Sequence, residues 1–140
     1  DLCGNKDIYK STRTLYARGN SIISNFRYCT EDVKVQLFKS FCSTIYCCHL
    51  WSDFSPDISR RIKSAYNRIF RSLFNLYHRV SISATLLKYG VLHFDILVRN
   101  SITGFIKRIE SSDNIIIQNI ISSDFYTNSA IYNHWKTIIY

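Results

Sequence analysis

Apolar residues recur every three to four positions along most of the chain, the spacing of amphipathic helices rather than the alternation of half-buried strands. A first helix is predicted over about Lys6 to Arg27. Ile8, Leu15, Ile22 and Phe26 lie on its repeat, and Gly19-Asn20 reads as a break or kink. Its cations Lys10, Arg13, Arg18 and Arg27 spread around it. Thr30, followed by Glu31 and Asp32, opens a second helix, because a hydroxyl can accept an orphan N–H and acids suit the positive helix end. Val33, Leu37, Phe41, Ile45 and Cys48 form its stripe. Phe38, Cys42, Tyr46 and His49 widen that stripe well past a surface helix's apolar arc, which predicts the central, most buried helix.

Ser55-Pro56-Asp57 is the strongest boundary, combining a capping hydroxyl, a proline preset for the first helical position and an acid in the first turn. The third helix then runs to about Leu76. Ile58, Ile62, Ala65, Ile69, Leu73 and Leu76 fill one face, and Arg60, Arg61, Lys63, Arg68 and Arg71 share the exposed side. After a turn at Tyr77 to Val80, Ser81 or Ser83 opens a short helix through Tyr89, ended by Gly90 in a left-handed cap. A helix from about His93 to Ile109 follows, with Ile96, Ile102, Phe105, Ile106 and Ile109 apolar and Arg99, Lys107 and Arg108 basic. Ser112-Asp113 caps Asn114 to Ile121, and Thr127-Asn128 caps a last helix ending near Tyr140. The β-branched run Ile115-Ile116-Ile117 suits a short strand as well, and its helical neighbours favour the helix.

Four glycines and one proline are too little punctuation for the many turns of a sandwich or barrel. The expected fold is therefore all-α, with about six or seven helices in a single compact, bundle-like domain over residues 1–140. Within it, helices over about 6–76 precede a C-terminal helical segment over about 81–140. A length of 140 residues allows one core and leaves little room for two. With 46% hydrophobic and 20% charged residues the chain is globular rather than disordered. No apolar run approaches the roughly 18 residues of a membrane span. The chain begins at Asp1 without a methionine or a secretory signal pattern, and reads as an excision from a longer polypeptide.

Charge changes the picture most. The formal net charge of +8 attracts polyanions such as nucleic acid or an anionic membrane surface. Residues 55–108 alone carry a net +8 and residues 109–140 a net −2, so the polyanion-facing surface is expected in the middle of the chain. Cations in a stripe can neutralise successive phosphates and release counterions, and few acids interleave here to form helix pairs. The plainer explanation is a solvated helix face. Tyr66 and Tyr77 flank the stripe and could stack on bases, although tyrosine at helical spacing is more often core.

Catalytic chemistry finds no constellation. Converging carboxylates, a nucleophile with its base and a phosphate-cradling glycine loop are all missing, and Glu31, Asp32, Asp57 and Asp113 are explained as helix starts. His49, His78, His93 and His134 lack the spacing of a ligand pair. The five cysteines, Cys3, Cys29, Cys42, Cys47 and Cys48, form an odd set and read as reduced core thiols. A zinc site at Cys42, Cys47, Cys48 and His49 is disfavoured, because Cys47 points away from Cys42 and Cys48 on a helix and paired short-spacing ligands are absent.

Several phrases occur in a specific order: Leu15-Tyr16-Ala17-Arg18-Gly19-Asn20, Phe26, Cys29, Val33-Lys34, Leu37-Phe38, Phe41-Cys42, Tyr46 and Leu50-Trp51. They continue with Ala65-Tyr66-Asn67, Phe70-Arg71, Ser81, Ser83, Arg99, Phe105, Arg108, Ser112 and Asn114. Together they resemble the post-polymerase region of reverse transcriptases from jockey-like non-LTR (LINE-type) retrotransposons, over most of the chain. The resemblance implies the thumb and C-terminal part of an RNA-directed DNA polymerase, acting in the cytoplasm and nucleus. Its partners would be RNA–DNA hybrid or template–primer nucleic acid and a palm domain elsewhere in the same polypeptide, with no membrane.

In such enzymes the palm aspartates coordinate two magnesium ions for nucleotidyl transfer. No match to that motif occurs here, so no cofactor is expected in this chain. The nucleic-acid-binding residues expected from the basic helix faces are Arg60, Arg61, Lys63, Arg68, Arg71, Arg99, Lys107 and Arg108. Where relatives carry a basic pair and a Leu-Pro, this chain has Ser24-Asn25 and Leu76-Tyr77, which predicts a weaker backbone grip and a blurred end to the third helix. The alternatives are a stand-alone helical protein-interaction module or an inactive retroelement relic. An independent nucleic-acid-binding regulator fits less well, because no recognition helix with base-reading residues is identifiable.

Overall fold

The computed structural model describes residues 4–45, 48 and 56–139. Cys3, Tyr46, Cys47, His49, Leu50, Trp51, Ser55 and Tyr140, and the side chain of Ile58, lie outside the described residues. The fold is all-α. Eight helices are present among the described residues: α1 (Gly4–Asn25), α2 (Glu31–Phe41), α3 (Pro56–Leu73), α4 (Ile82–Lys88), α5 (Phe94–Glu110), α6 (Ile115–Ile121), α7 (Asp124–Thr127) and α8 (Ala130–Ile139). The count exceeds the expected six or seven because the C-terminal part breaks into an additional four-residue turn of helix, α7.

The chain divides into two compact units. The first contains α1 to α4 and α5 as far as Leu97, and the second contains α5 from Val98 together with α6, α7 and α8. The division thus falls inside α5 rather than at the turn after residue 76.

In the first unit α3 occupies the place expected of α2. Ile62, Ala65, Tyr66, Ile69, Phe70 and Leu73 are all buried on it, a face widened by aromatic side chains. On α2 the buried residues are Val35 and Phe38, followed by Cys42 at its C-cap, whereas Val33 and Phe41 from the expected stripe are exposed. An 11-residue helix with apolar residues on two sides has no preferred face of its own. Packing chooses it here: the Phe38 ring meets Tyr66 at 5.0 Å and Phe70 at 5.1 Å between centroids, and Tyr66 meets Phe94 at 5.8 Å. Each such pair adds about 0.5–1.5 kcal/mol to the burial itself. Tyr66 is core, not a base-stacking platform: its hydroxyl donates to the Leu92 carbonyl at 2.9 Å and lies 3.3 Å from the Ser43 hydroxyl.

Gly19 does not break α1. It is buried at the contact with α3, where an added Cβ would come within 2.9 Å of Ile69 Cγ1 and closer still to Cγ2. Tyr9 meets Arg61 and Gly19 meets Ile69, so the two helices run in the same direction.

The caps also differ from expectation in instructive ways. Thr30 is the N-cap of α2 by backbone, yet its side chain makes no capping bond. Helix α3 ends sharply although Leu76-Tyr77 supplies no proline. Asn75 takes a left-handed φ of 51°, with Leu76 N–H donating to the Arg71 carbonyl and Asn75 N–H to that of Ser72, the Schellman arrangement. Gly90, at φ 60°, ends α4 in the same way, and Ser81 is that helix's N-cap. Helix α6 is capped by Asn114, whose side chain accepts from Ile116 N–H at 2.9 Å, rather than by Ser112-Asp113.

The second unit is held by Ile102, Ile106 and Trp135, with Val98, Phe105, Ile109 and Tyr126 packed around them. Phe105 meets the Trp135 ring edge-on at 5.6 Å. Helix α6 buries none of its residues.

Candidate nucleic-acid interface

The cations of α3 do not act as one face, because each is positioned by a different neighbour. Arg60 pairs with Asp57 one turn earlier at 3.1 Å, an exposed contact of little energetic weight. Lys63 is half-buried and binds Asp95 at 2.5 Å, and His93 Nδ1 shares the same carboxylate oxygen at 3.2 Å. Arg71 donates to two backbone carbonyls, Tyr77 at 2.8 Å and Val80 at 2.7 Å, and so ties down the turn after α3. Lys63 and Arg71 therefore have structural work that a wheel of α3 alone does not reveal.

Arg61 and Arg68 differ. Both are exposed, two helical turns apart on one side of α3, and Arg68 has no ion-pair partner among the described residues. The Arg61 guanidinium lies 6.0 Å from the centre of the Tyr9 ring on α1. Beside this contact runs an open groove lined by Thr12 and Tyr16 of α1 and by Asp57, Arg60, Arg61 and Ser64 of α3.

The side of α1 that includes the groove residue Tyr16 carries residues outside the expected set. Lys6, Tyr9, Arg13, Tyr16 and Asn20 recur at steps of three and four, which places them on one side of a helix. All are exposed except the half-buried Tyr16. Their opposite side, Ile8, Leu15, Gly19 and Ile22, is buried. The alternation of cation and aromatic is present in the spacing, although the basic residues of α1 taken alone spread around the helix.

Arg99, Lys107 and Arg108 lie in the second unit, all exposed on α5. At about 100° per residue Arg108 falls on the side opposite Arg99, so the three form no stripe. Lys107 lines a groove with Thr103, Ile106, Glu110, Tyr132, Trp135 and Lys136, where Glu110 offsets part of the positive charge.

No metal cluster forms among the described residues: no three His, Cys, Asp or Glu side chains converge. No described nucleophile hydrogen-bonds to His93. Cys42 and Cys48 are buried and Cys29 is half-buried. Burial pushes the Cys42 thiol up to about 11, against a smaller opposing pull from Arg18, so it is a poor thiolate. Burial likewise pushes the Tyr66 hydroxyl up to about 12. No helix among the described residues is long and apolar enough to cross a membrane.

No protein-family model, no curated protein and no solved structure matches this chain.

Proposed function

We propose that this chain holds template–primer nucleic acid for a palm active site elsewhere in its polypeptide, as the thumb and C-terminal part of a jockey-like non-LTR retrotransposon reverse transcriptase. The observation that carries the reading is the exposed cationic surface at the α1–α3 groove, where Arg60 and Arg61 line the wall and Arg61 sits beside Tyr9 of α1. Arg60 and Arg61 of α3 line the groove with Tyr16 of α1, exposed Lys6 and Arg13 recur at helical spacing with Tyr9 and Tyr16, and the one described carboxylate lining the groove, Asp57, is already paired. Such a surface tracks a phosphate backbone without reading sequence. The chain itself performs no bond chemistry in this reading. Nucleotidyl transfer and its magnesium belong to the palm, and the work is done in the cytoplasm and nucleus.

The test is binding of a fluorescent RNA–DNA hybrid by the 140-residue chain. Binding in 50 mM salt that weakens steeply by 200 mM supports the reading, with a further loss when Arg60, Arg61 and Arg68 become Gln. No binding at low salt, or binding unchanged in that variant, contradicts it.

A second reading rests on a specific feature of the second unit. Ile115, Ile116 and Ile120 of α6 and Phe125 of α7 are all exposed, Phe125 to 91%, which suits a helical protein-interaction module. Failure of nucleic-acid binding together with association of the chain through α6 would favour it.

A further inference from the structure

Tyr9 is half exposed, at 50%, on a helix whose Ile8, Leu15 and Ile22 are buried. It is not needed to fill a core. Arg61 holds a position 6.0 Å from its ring centre, which polarises and orients the ring while leaving much of it open to solvent. Tyr16 follows seven residues later along the same side, about 10.5 Å away at 1.5 Å per residue. That is the span of about three nucleotides at 3.4 Å per step of a stacked strand.

Arg13 lies between the two tyrosines and Lys6 lies before them, so aromatic and cationic side chains alternate along one line. Thr12 and Ser64 add hydroxyls to the groove wall, donors suited to phosphate or sugar oxygens. A duplex keeps its base faces stacked inside and offers such a surface only phosphates. A single strand offers both phosphates for the cations and base faces for the rings.

We infer that the α1–α3 groove and the exposed surface beside it form a binding site for single-stranded polynucleotide, with bases stacking on Tyr9 and Tyr16 and the backbone contacting Arg60 and Arg61 at the groove and the exposed Arg13 and Arg68 on the same two helices. This rests on the reading of the first unit as a nucleic-acid surface and narrows it to an unpaired strand, read by shape and charge without sequence preference.

The experiment compares the 140-residue chain's affinity, by fluorescence anisotropy at 50 mM salt, for dT12, rU12 and an abasic 12-mer carrying the same number of phosphates. At least about fivefold tighter binding of dT12 or rU12 than of the abasic strand is expected, the effect of one stacked base. Tyr9→Ala should reduce that preference severalfold and Tyr9→Phe should keep it, with helical content checked by circular dichroism in each. Equal binding of the abasic strand by the wild-type chain, or a preference untouched by Tyr9→Ala, overturns the stacking site while leaving an electrostatic nucleic-acid surface standing. Absence of binding to any of the three strands and to an RNA–DNA hybrid removes both.

Discussion

Gly19 of α1 is pressed against the Ile69 side chain of α3, and no larger residue fits there unless that side chain or one of the helices shifts. In an exposed helix, glycine to alanine gains up to about 1 kcal/mol of propensity. Here overpacking opposes that gain at about 1–3 kcal/mol. Gly19→Ala is therefore expected to lower the stability of the chain in urea denaturation. Ile69→Ala removes the colliding atoms, so alanine at 19 should cost less in that background, a coupling of about 0.5 kcal/mol or more in a double-mutant cycle. Additive effects would contradict the contact.

Arg71 and Arg68 make a matched pair for separating structure from binding. Arg71→Gln breaks two charge-assisted bonds to the Tyr77 and Val80 carbonyls and should lower stability by about 1 kcal/mol. Arg68→Gln should leave stability within about 0.5 kcal/mol and weaken nucleic-acid binding. The reverse pattern would place the functional cation at 71.

Alkaline pH should unfold the chain early, and the sign follows from burial. Tyr66 is raised from 10.0 to about 12 in the folded protein, so its contribution is fully present below pH 10 and is lost as pH rises through about 12. The thermal midpoint is expected to fall across that window. Tyr66→Phe, which also removes the bond to the Leu92 carbonyl, should be about 0.5–1.5 kcal/mol less stable at pH 8 and show a shallower fall above pH 10. An unchanged alkaline slope would exclude Tyr66 as a source.

Cys42 offers an independent check of the same core. Buried, and with its thiol held to about 11, it should resist alkylation by iodoacetamide in the native chain at pH 8 and react once the chain is denatured. Peptide mapping by mass spectrometry reads the result. Rapid native labelling at Cys42 would contradict the packing of α2 against α3.

The all-α class was legible because the apolar spacing is helical throughout and glycine and proline are scarce. Pro56 and Gly90 marked real helix ends for local reasons, a proline at the first position and a left-handed cap. The face of α2 was not legible. Val33-Leu37-Phe41 and Val35-Phe38-Cys42 both run at helical spacing, and only the aromatic surface of α3 selects the second set. Gly19 looked like a break for the same reason, since its partner Ile69 is fifty residues away in sequence. At the candidate site the spacing of Arg61 and Arg68 was readable. The commitments of Lys63 to Asp95 and of Arg71 to two loop carbonyls depend on chain reversal and were not. The alternation of Lys6, Tyr9, Arg13 and Tyr16 was readable in principle, but becomes meaningful only once Arg61 is seen beside Tyr9.

The most direct measurement of the central claim is where nucleic acid touches the chain. Photo-crosslinking of a 4-thiouridine-containing RNA–DNA template–primer to the 140-residue protein, followed by mass-spectrometric mapping, should place adducts on α1 between Lys6 and Asn20 and on α3 between Arg60 and Arg68. Adducts confined to α6, α7 and α8, or distributed without regard to the α1–α3 groove, would contradict it.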